Sequence, residues 1–261
     1  MRHKIDIHCH ILPDVDDGPQ TMADSLMLAS VLVNQGFAEI IATPHYIDDY
    51  SEAYRNHIKQ QYKALQTALQ VQGIPLQLHL GGEVMLTSLV VQQADSGTLP
   101  VLANTNHVLL ELPLRQEVLA YASQVIFHLQ IKGYQPIIAH PERVEFIKQD
   151  PRCLLRLLES GVLLQVNMGS LFGLYGKRAK QAAEFLLANQ MAHFLATDSH
   201  HASQGALGHK LTKLAYPLEL LMGENPHNLL NQQRIKQLCK REEKSYSVNK
   251  LIRFLKNILG R

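Results

Sequence analysis

Short apolar segments alternate with longer segments of helical periodicity along almost the whole chain. Runs at residues 4–7, 39–42, 77–80, 107–110, 135–139, 163–166 and 194–196 have strand length. Between them, residues 21–35, 50–72, 116–132, 152–160 and 177–189 place apolar side chains three and four apart, the spacing of one helix face. Gly36, Gly73, Gly133 and Gly161 stand where helices should stop, because glycine enters the left-handed region that closes a helix at little cost. Strands separated by helices predict parallel pairing and the α/β class. No low-complexity linker interrupts the period, so residues 1–261 are expected to form one domain.

The residues just past each strand change the picture. After the first come His8, His10 and Asp17; after the second, Thr43-Pro44-His45; after the third, Gly81-Gly82-Glu83. Glu111 ends the fourth, His140-Pro141-Glu142-Arg143 follows the fifth, Asn167 the sixth, and Thr197-Asp198-Ser199-His200-His201 the seventh. In a parallel barrel these positions all open on the C-terminal face of the strands, where such folds carry their active sites. Side chains alternate along a strand, so His8 and His10 should share a face while Cys9 points away. Any one of these residues reads equally well as a polar strand cap. Together they form a set of imidazoles and carboxylates suited to a cluster of divalent ions. Of the 14 histidines only His8, His10, His45, His140 and His200 fall in this pattern. His57, His79, His107, His128, His193, His209 and His227 are expected to be ordinary solvated or hydrogen-bonded histidines, and His3 and His201 are undecided.

Composition narrows the setting. With 46% apolar and 18% charged residues and no apolar run of membrane-spanning length, the chain reads as soluble. Residues 1–4 lead straight into the first strand, which speaks against a cleavable export signal. Three widely separated cysteines, Cys9, Cys153 and Cys239, suit a reducing compartment, so a cytoplasmic location is expected. The net charge of +2 hides an asymmetry: residues 236–261 carry eight basic and two acidic side chains, or +6, leaving −4 for the rest. A mildly acidic body argues against a nucleic-acid-binding surface. Residues 245–261 have the spacing of a basic amphipathic helix. It could cover the barrel, the simpler reading, or contact an anionic membrane at its inner face or the acidic part of a membrane-bound kinase.

The ordered motifs, Asp-Ile-His-Cys-His-Ile-Leu-Pro with Asp-Asp-Gly, Thr-Pro-His, Gly-Glu-Val, Glu-Leu-Pro, Ala-His-Pro-Glu-Arg and Thr-Asp-Ser-His, resemble the polymerase and histidinol phosphatase (PHP) superfamily. Within it the chain is most similar to the bacterial manganese-dependent tyrosine-protein phosphatases of capsule and exopolysaccharide synthesis. The resemblance runs from about residue 5 to residue 235. It implies a distorted (β/α)7 TIM-like barrel and three divalent metal ions, most commonly manganese, with iron or zinc as alternatives. Carried over by motif, His8, His10, Glu83 and Asp198 would bind the first ion. Glu83 would bridge to a second held by Glu111 and His140, and Asp17, His45 and His200 would bind the third. Arg143 resembles the arginine that grips the phosphoryl group. A second family arginine, expected shortly after the Asp-x-His motif, is missing, and Lys210 or His201 are candidates to replace it.

A phosphate monoester demands charge neutralisation, an aligned nucleophile and a stabilised leaving group, which clustered cations and a metal-activated hydroxide supply without a protein nucleophile. The cysteines agree: Val15, Glu159 and Ser245 lie six residues after them, so no Cys-x5-Arg loop exists. The expected substrate is a phosphotyrosine protein, in particular an autophosphorylated membrane-associated kinase. Arg143, Asp17 and His200 are expected to stabilise and anchor the phosphoryl group. The segment with Tyr46, Tyr50, Tyr54, Arg55 and Tyr62 is either an entrance that holds peptide, with Arg55 touching substrate, or an ordinary packed helix. Two other readings stay open: a small-molecule phosphoesterase such as a histidinol phosphatase, and a non-catalytic barrel that binds phosphotyrosine or metal.

Overall fold

Nine strands form two parallel sheets in the computed structural model of the chain, which describes residues 3–47, 50–115, 117–205 and 216–237. One sheet runs β1 (Lys4–Cys9), β2 (Phe37–Ala42), β4 (Gln77–Leu80). The other runs β3 (His45–Tyr46), β5 (Glu83–Met85), β6 (His107–Glu111), β7 (Gln135–Ala139), β8 (Leu163–Asn167), β9 (Phe194–Ala196). Lys210 and the expected helix at 245–261 lie outside the described residues.

The strands outnumber the seven expected because the second and third are each broken and resumed. Pro44 separates β2 from β3, since proline has no N–H to give a ladder. Gly81 and Gly82 separate β4 from β5, where neighbours crowd the backbone: a Cβ on Gly82 would lie 2.8 Å from Pro100 and from the Tyr46 ring. The halves keep their partners across the break, β2 with β4 and β3 with β5. His45 and Glu83 therefore stand on short strand extensions and not just past the strands. The seam between β9 and β1 is held by a parallel bridge of Cys9 with Ser199 and by N–H donation from Asp198 to His8 O (2.9 Å) and from His10 to Ser199 O (3.0 Å). The architecture is a distorted βα barrel in which a bridge, not a continuous ladder, spans the seam.

Helices Met22–Asn34 and Glu52–Val71 start at side-chain caps, with Thr21 and Ser51 accepting from the Asp24 and Tyr54 N–H groups. Leu119–Ile131 and Lys177–Ala188 match the expected helices. The helix expected over 152–160 begins instead as a 3-10 turn, Pro151–Leu154, and becomes α-helical only over Leu155–Glu159. Proline at the first turn is tolerated there because its missing N–H has no partner to lose.

Two apolar layers result from strand alternation. Ile7, Ile41, Leu109, Ile137, Ala139, Leu163, Phe194 and Ala196 face inward into one cluster, while Val108, Leu110, Ile138, Leu164, Val166 and Leu195 face the helices. The next inward positions on β6, β8 and β9 are Glu111, Gln165 with Asn167, and Asp198. The apolar plug of the barrel is thus the floor of a polar site.

His107 and His193 are buried in this lower part, and burial pushes each imidazole down to about 4. The Leu164 N–H donates to His193 Nδ1 at 3.1 Å, a bond that needs the unprotonated nitrogen. Below the unfolded value near 6.5 the unfolded chain takes up a proton that the folded chain refuses, so stability should fall as pH drops from 6.5 to 4. The full loss is about 3 kcal/mol per histidine. Denaturant unfolding of His193→Gln across that range should show a shallower pH slope than wild type. An identical slope would contradict the assignment.

Candidate metal centre

The strand ends gather nine side chains, and they are those expected from the strand-end motifs. Ligand-capable atoms approach within 4.8 Å of one another in four sets: His8, His10 and Asp198; His8, Glu83 and His140; His45, Glu83 and Glu111; and His10, Asp17, His45 and His200. His8, His10, Glu83, His140 and Asp198 are essentially inaccessible. The last set forms the rim, where the Asp17 side chain is 69% exposed. His10 belongs to two sets and so joins the deep part of the cluster to the rim.

Local backbone aims these groups. The β1–β2 ladder shifts register between Asp6 and Cys9, an irregularity that lets Ile7 fill the apolar interior while His8 and His10 both reach the site and Cys9 joins the outer layer. Asp6 anchors this stretch to the far side of the seam by accepting from the Thr197 N–H (3.1 Å) and hydroxyl (2.5 Å). His140 (φ 29°) and Asp198 (φ 51°) sit in the left-handed region, which L residues other than glycine enter at a cost. Strained backbone of this kind concentrates where side-chain direction has to be set by function.

The polar pairing presents converging lone pairs that a cation fits. His8 Nδ1 lies 2.9 Å from Gln165 Oε1 and His10 Nδ1 lies 2.8 Å from Asp16 Oδ2, so in the neutral rings Nδ1–H donates outward and the Nε2 lone pairs face inward. Those two Nε2 atoms stand 3.2 Å apart. Glu83 Oε2 lies 3.3 Å from both and 3.1 Å from His45 Nδ1, yet it has no hydrogen-bond partner, and neither has His45 Nδ1. Lone pairs converging on one another without donors between them are repulsive, and a divalent ion is the species that makes the same arrangement favourable. The donor set of imidazole and carboxylate suits manganese, iron or zinc.

Electrostatics point the same way. Burial opposes charge on His8, but Glu83 and Asp198 hold its imidazole above the ordinary value; burial likewise opposes charge on His45, and Asp17 and Glu83 raise it to about 10. Burial and the neighbouring Glu83 raise the Glu111 carboxyl. Against the burial cost, His8 and the other imidazoles around it hold Glu83 well below the usual carboxylate range. These are groups that mutually require positive charge in the space they enclose.

Arg143 stands beside the cluster. Its Nη1 donates to Asp198 Oδ2 at 2.7 Å and its guanidinium lies 4.4 Å from the centre of the Tyr175 ring, with 23% of the side chain exposed. Arg55 Nη1 donates to the Tyr50 carbonyl at 2.5 Å, and His201 is exposed with its ring 6.5 Å from that of His200. Tyr46 and Tyr50 are buried in the outer apolar layer, and the Tyr54 hydroxyl donates to His45 O at 2.7 Å. These tyrosines brace a ligand-bearing segment, in keeping with the packed-helix reading. Asp16, Gln165 and Tyr175 also touch the cluster or Arg143, and no strand-end motif singles them out. A period-two pair of amides at the end of β8, Gln165 and Asn167, was the available signal for the second.

Residues 4–233 match the family described as "Capsular polysaccharide synthesis, CpsB/CapC". The tyrosine-protein phosphatase YwqE of Bacillus subtilis is 36% identical over 237 residues, spanning 88% of this chain and 93% of that protein. The tyrosine-protein phosphatase CpsB of Streptococcus agalactiae is 29% identical over 205 residues, 76% of this chain and 83% of that one. A crystal structure from work on YwqE of B. subtilis and CpsB of Streptococcus pneumoniae, described as metal-dependent tyrosine phosphatases, superposes with a TM-score of 0.79 at 35% identity, covering 91% of this chain and all of that one. A phosphotriesterase homology protein of Escherichia coli shares the fold alone, with a TM-score of 0.52 at 11% identity over 88% of this chain and 99% of that one.

Proposed function

The chain belongs to the CpsB/CapC family of capsular polysaccharide synthesis, and on that premise we propose that it is a metal-dependent phosphatase of phosphotyrosine in proteins. The observation that carries the reading is the buried Glu83 oxygen, ringed by imidazole nitrogens and hydrogen-bonded to none of them. His8, His10, Glu83 and Asp198 would hold one divalent ion, Glu83, Glu111 and His140 a second, and Asp17, His45 and His200 a third, with manganese the leading candidate. When bound, such ions supply positive charge to the phosphoryl oxygens and lower the pKa of water to near neutrality.

The chain's own residues do the rest. Arg143 is held by Asp198 through one nitrogen, which leaves further guanidinium donors to meet equatorial phosphoryl oxygens in a planar fork. Its contact with Tyr175 keeps the fork from swinging into solvent. Asp17, exposed, with the partly buried His45 and His200 forms the rim, the part of the site that a phosphotyrosine carried on a protein reaches first. A tyrosine leaves as a phenolate whose conjugate acid has a pKa of about 10, so little protonation help is needed. The physiological substrate we favour is an autophosphorylated membrane-associated tyrosine kinase. No helix among the described residues is long and apolar enough to cross a membrane.

Hydrolysis of a phosphotyrosine peptide by the full chain should vanish with excess chelator and return on adding manganese. Turnover that survives chelation would sink the metal mechanism. Histidinol phosphate in the same assay should be a poor substrate; a preference for it would favour a small-molecule phosphoesterase.

A further inference from the structure

β8 contributes none of the nine ligand-capable side chains, yet two of its side chains reach the site. Gln165 and Asn167, two apart on the inward face and fully buried, join ligand candidates on opposite sides of the barrel seam. Gln165 Oε1 lies 2.9 Å from His8 Nδ1 and 3.4 Å from the His140 N–H; Gln165 Nε2 donates to Asn167 Oδ1 at 2.8 Å. Asn167 Nδ2 donates to Asp198 Oδ2 at 2.6 Å, and the Asn167 N–H is fixed by Glu142 Oε1 at 2.9 Å. Glu142 also accepts from the Ser170 hydroxyl at 2.7 Å, which ties the end of β8 to the turn after β7.

The direction of this chain of bonds is forced. An ionised carboxylate only accepts, so Asn167 must present its NH2 to Asp198 and its carbonyl oxygen to Gln165. Gln165 must then present its NH2 to Asn167 and its oxygen to His8. At 2.9 Å from His8 Nδ1 that oxygen would repel a ring lone pair, so Nδ1 carries the proton and Nε2 is left as a lone pair aimed at the cluster. Reversing either amide would set oxygen against oxygen at one end and N–H against N–H at the other, a costly mismatch between fully buried groups.

We propose that Gln165 and Asn167 are positioning residues that act as one relay, by which Asp198 sets the ring orientation and tautomer of His8 for metal binding. The proposal rests on the metal-dependent reading above. Its second consequence is that Asp198 Oδ2, shared by Asn167 and Arg143, is withdrawn from the cluster, leaving Oδ1 to face His8 at 3.4 Å and His10 at 3.5 Å.

The test uses the full chain, Gln165→Met, Asn167→Leu and the double variant. Manganese titration should show each single variant binding about 10- to 100-fold more weakly than wild type, with the double variant losing no more than the worse single, because a broken relay cannot be broken again. Unchanged affinity in the folded single variants, or losses that multiply in the double, would overturn the relay. A readout that does not depend on how the variants fold is nitrogen NMR of the histidine rings in zinc-loaded wild type. His8 should carry its proton on Nδ1, and a proton on Nε2 would overturn the proposal. Wild type that binds neither manganese nor zinc would overturn the metal reading itself, and the relay with it; normal wild-type binding with unaffected variants overturns the relay alone.

Discussion

Asp198→Asn is expected to lower kcat/KM toward a phosphotyrosine peptide by about three orders of magnitude while leaving the protein folded, a loss of roughly 4 kcal/mol of transition-state stabilisation. Asparagine is the right replacement because Asp198 lies at φ 51°, a conformation that asparagine tolerates and alanine does not. The variant keeps the shape and an acceptor for Asn167, and removes the charge. That charge is shared by His8, His10 and His200 through Oδ1 and by Arg143 through Oδ2, so its loss weakens the cluster and loosens the hold on the guanidinium together. Manganese affinity should fall in parallel. Activity within about tenfold of wild type, with the fold intact, would remove Asp198 from the reacting centre.

The largest stability effect should come from Phe194→Ala. Phe194 is fully buried in the barrel interior, in one cluster with Ile7, Ile41, Leu109 and Ile137. Those neighbours stand on strands that cannot close inward around a void without breaking their ladders. The lost burial and the residual cavity should together cost about 3–5 kcal/mol. That is a large share of the roughly 5–15 kcal/mol that holds a domain together. Leu155→Ala, at a side chain 46% exposed on the outer surface, should cost well under 1 kcal/mol. Denaturant midpoints of the two variants decide the matter, and a cost below about 1 kcal/mol for Phe194→Ala would mean that the interior is far looser than its packing indicates.

Much of the site was legible in the chain because metal-ligand chemistry uses few residue types and a βα barrel returns every strand end to one face. His8, His10, Asp17, His45, Glu83, Glu111, His140, Asp198 and His200 could be picked out by type and by strand-end position, and the structure brings all nine together. The broken second and third strands were not legible. Pro44 is visible in sequence, but the crowding that requires Gly81 and Gly82 comes from Pro100, Leu102 and Tyr46, residues distant along the chain. The tyrosines after His45 were ambiguous for the same reason: aromatic groups that line an entrance and aromatic groups that pack a helix look alike until their neighbours are known.

By itself, then, the sequence determined the order of strands and helices, the residue types offered at each strand end, and the family to which that ordered set belongs. These are local or serial properties, set by side-chain periodicity and by which groups can ligate a cation. Only the tertiary structure decided which nitrogen of each imidazole faces inward, which sets share His10 and Glu83, and that Gln165 and Asn167 connect His8 to Asp198. Hydrogen bonds are directional and short, so their pattern depends on side chains more than 150 residues apart arriving within 3 Å. No spacing along the chain encodes that meeting.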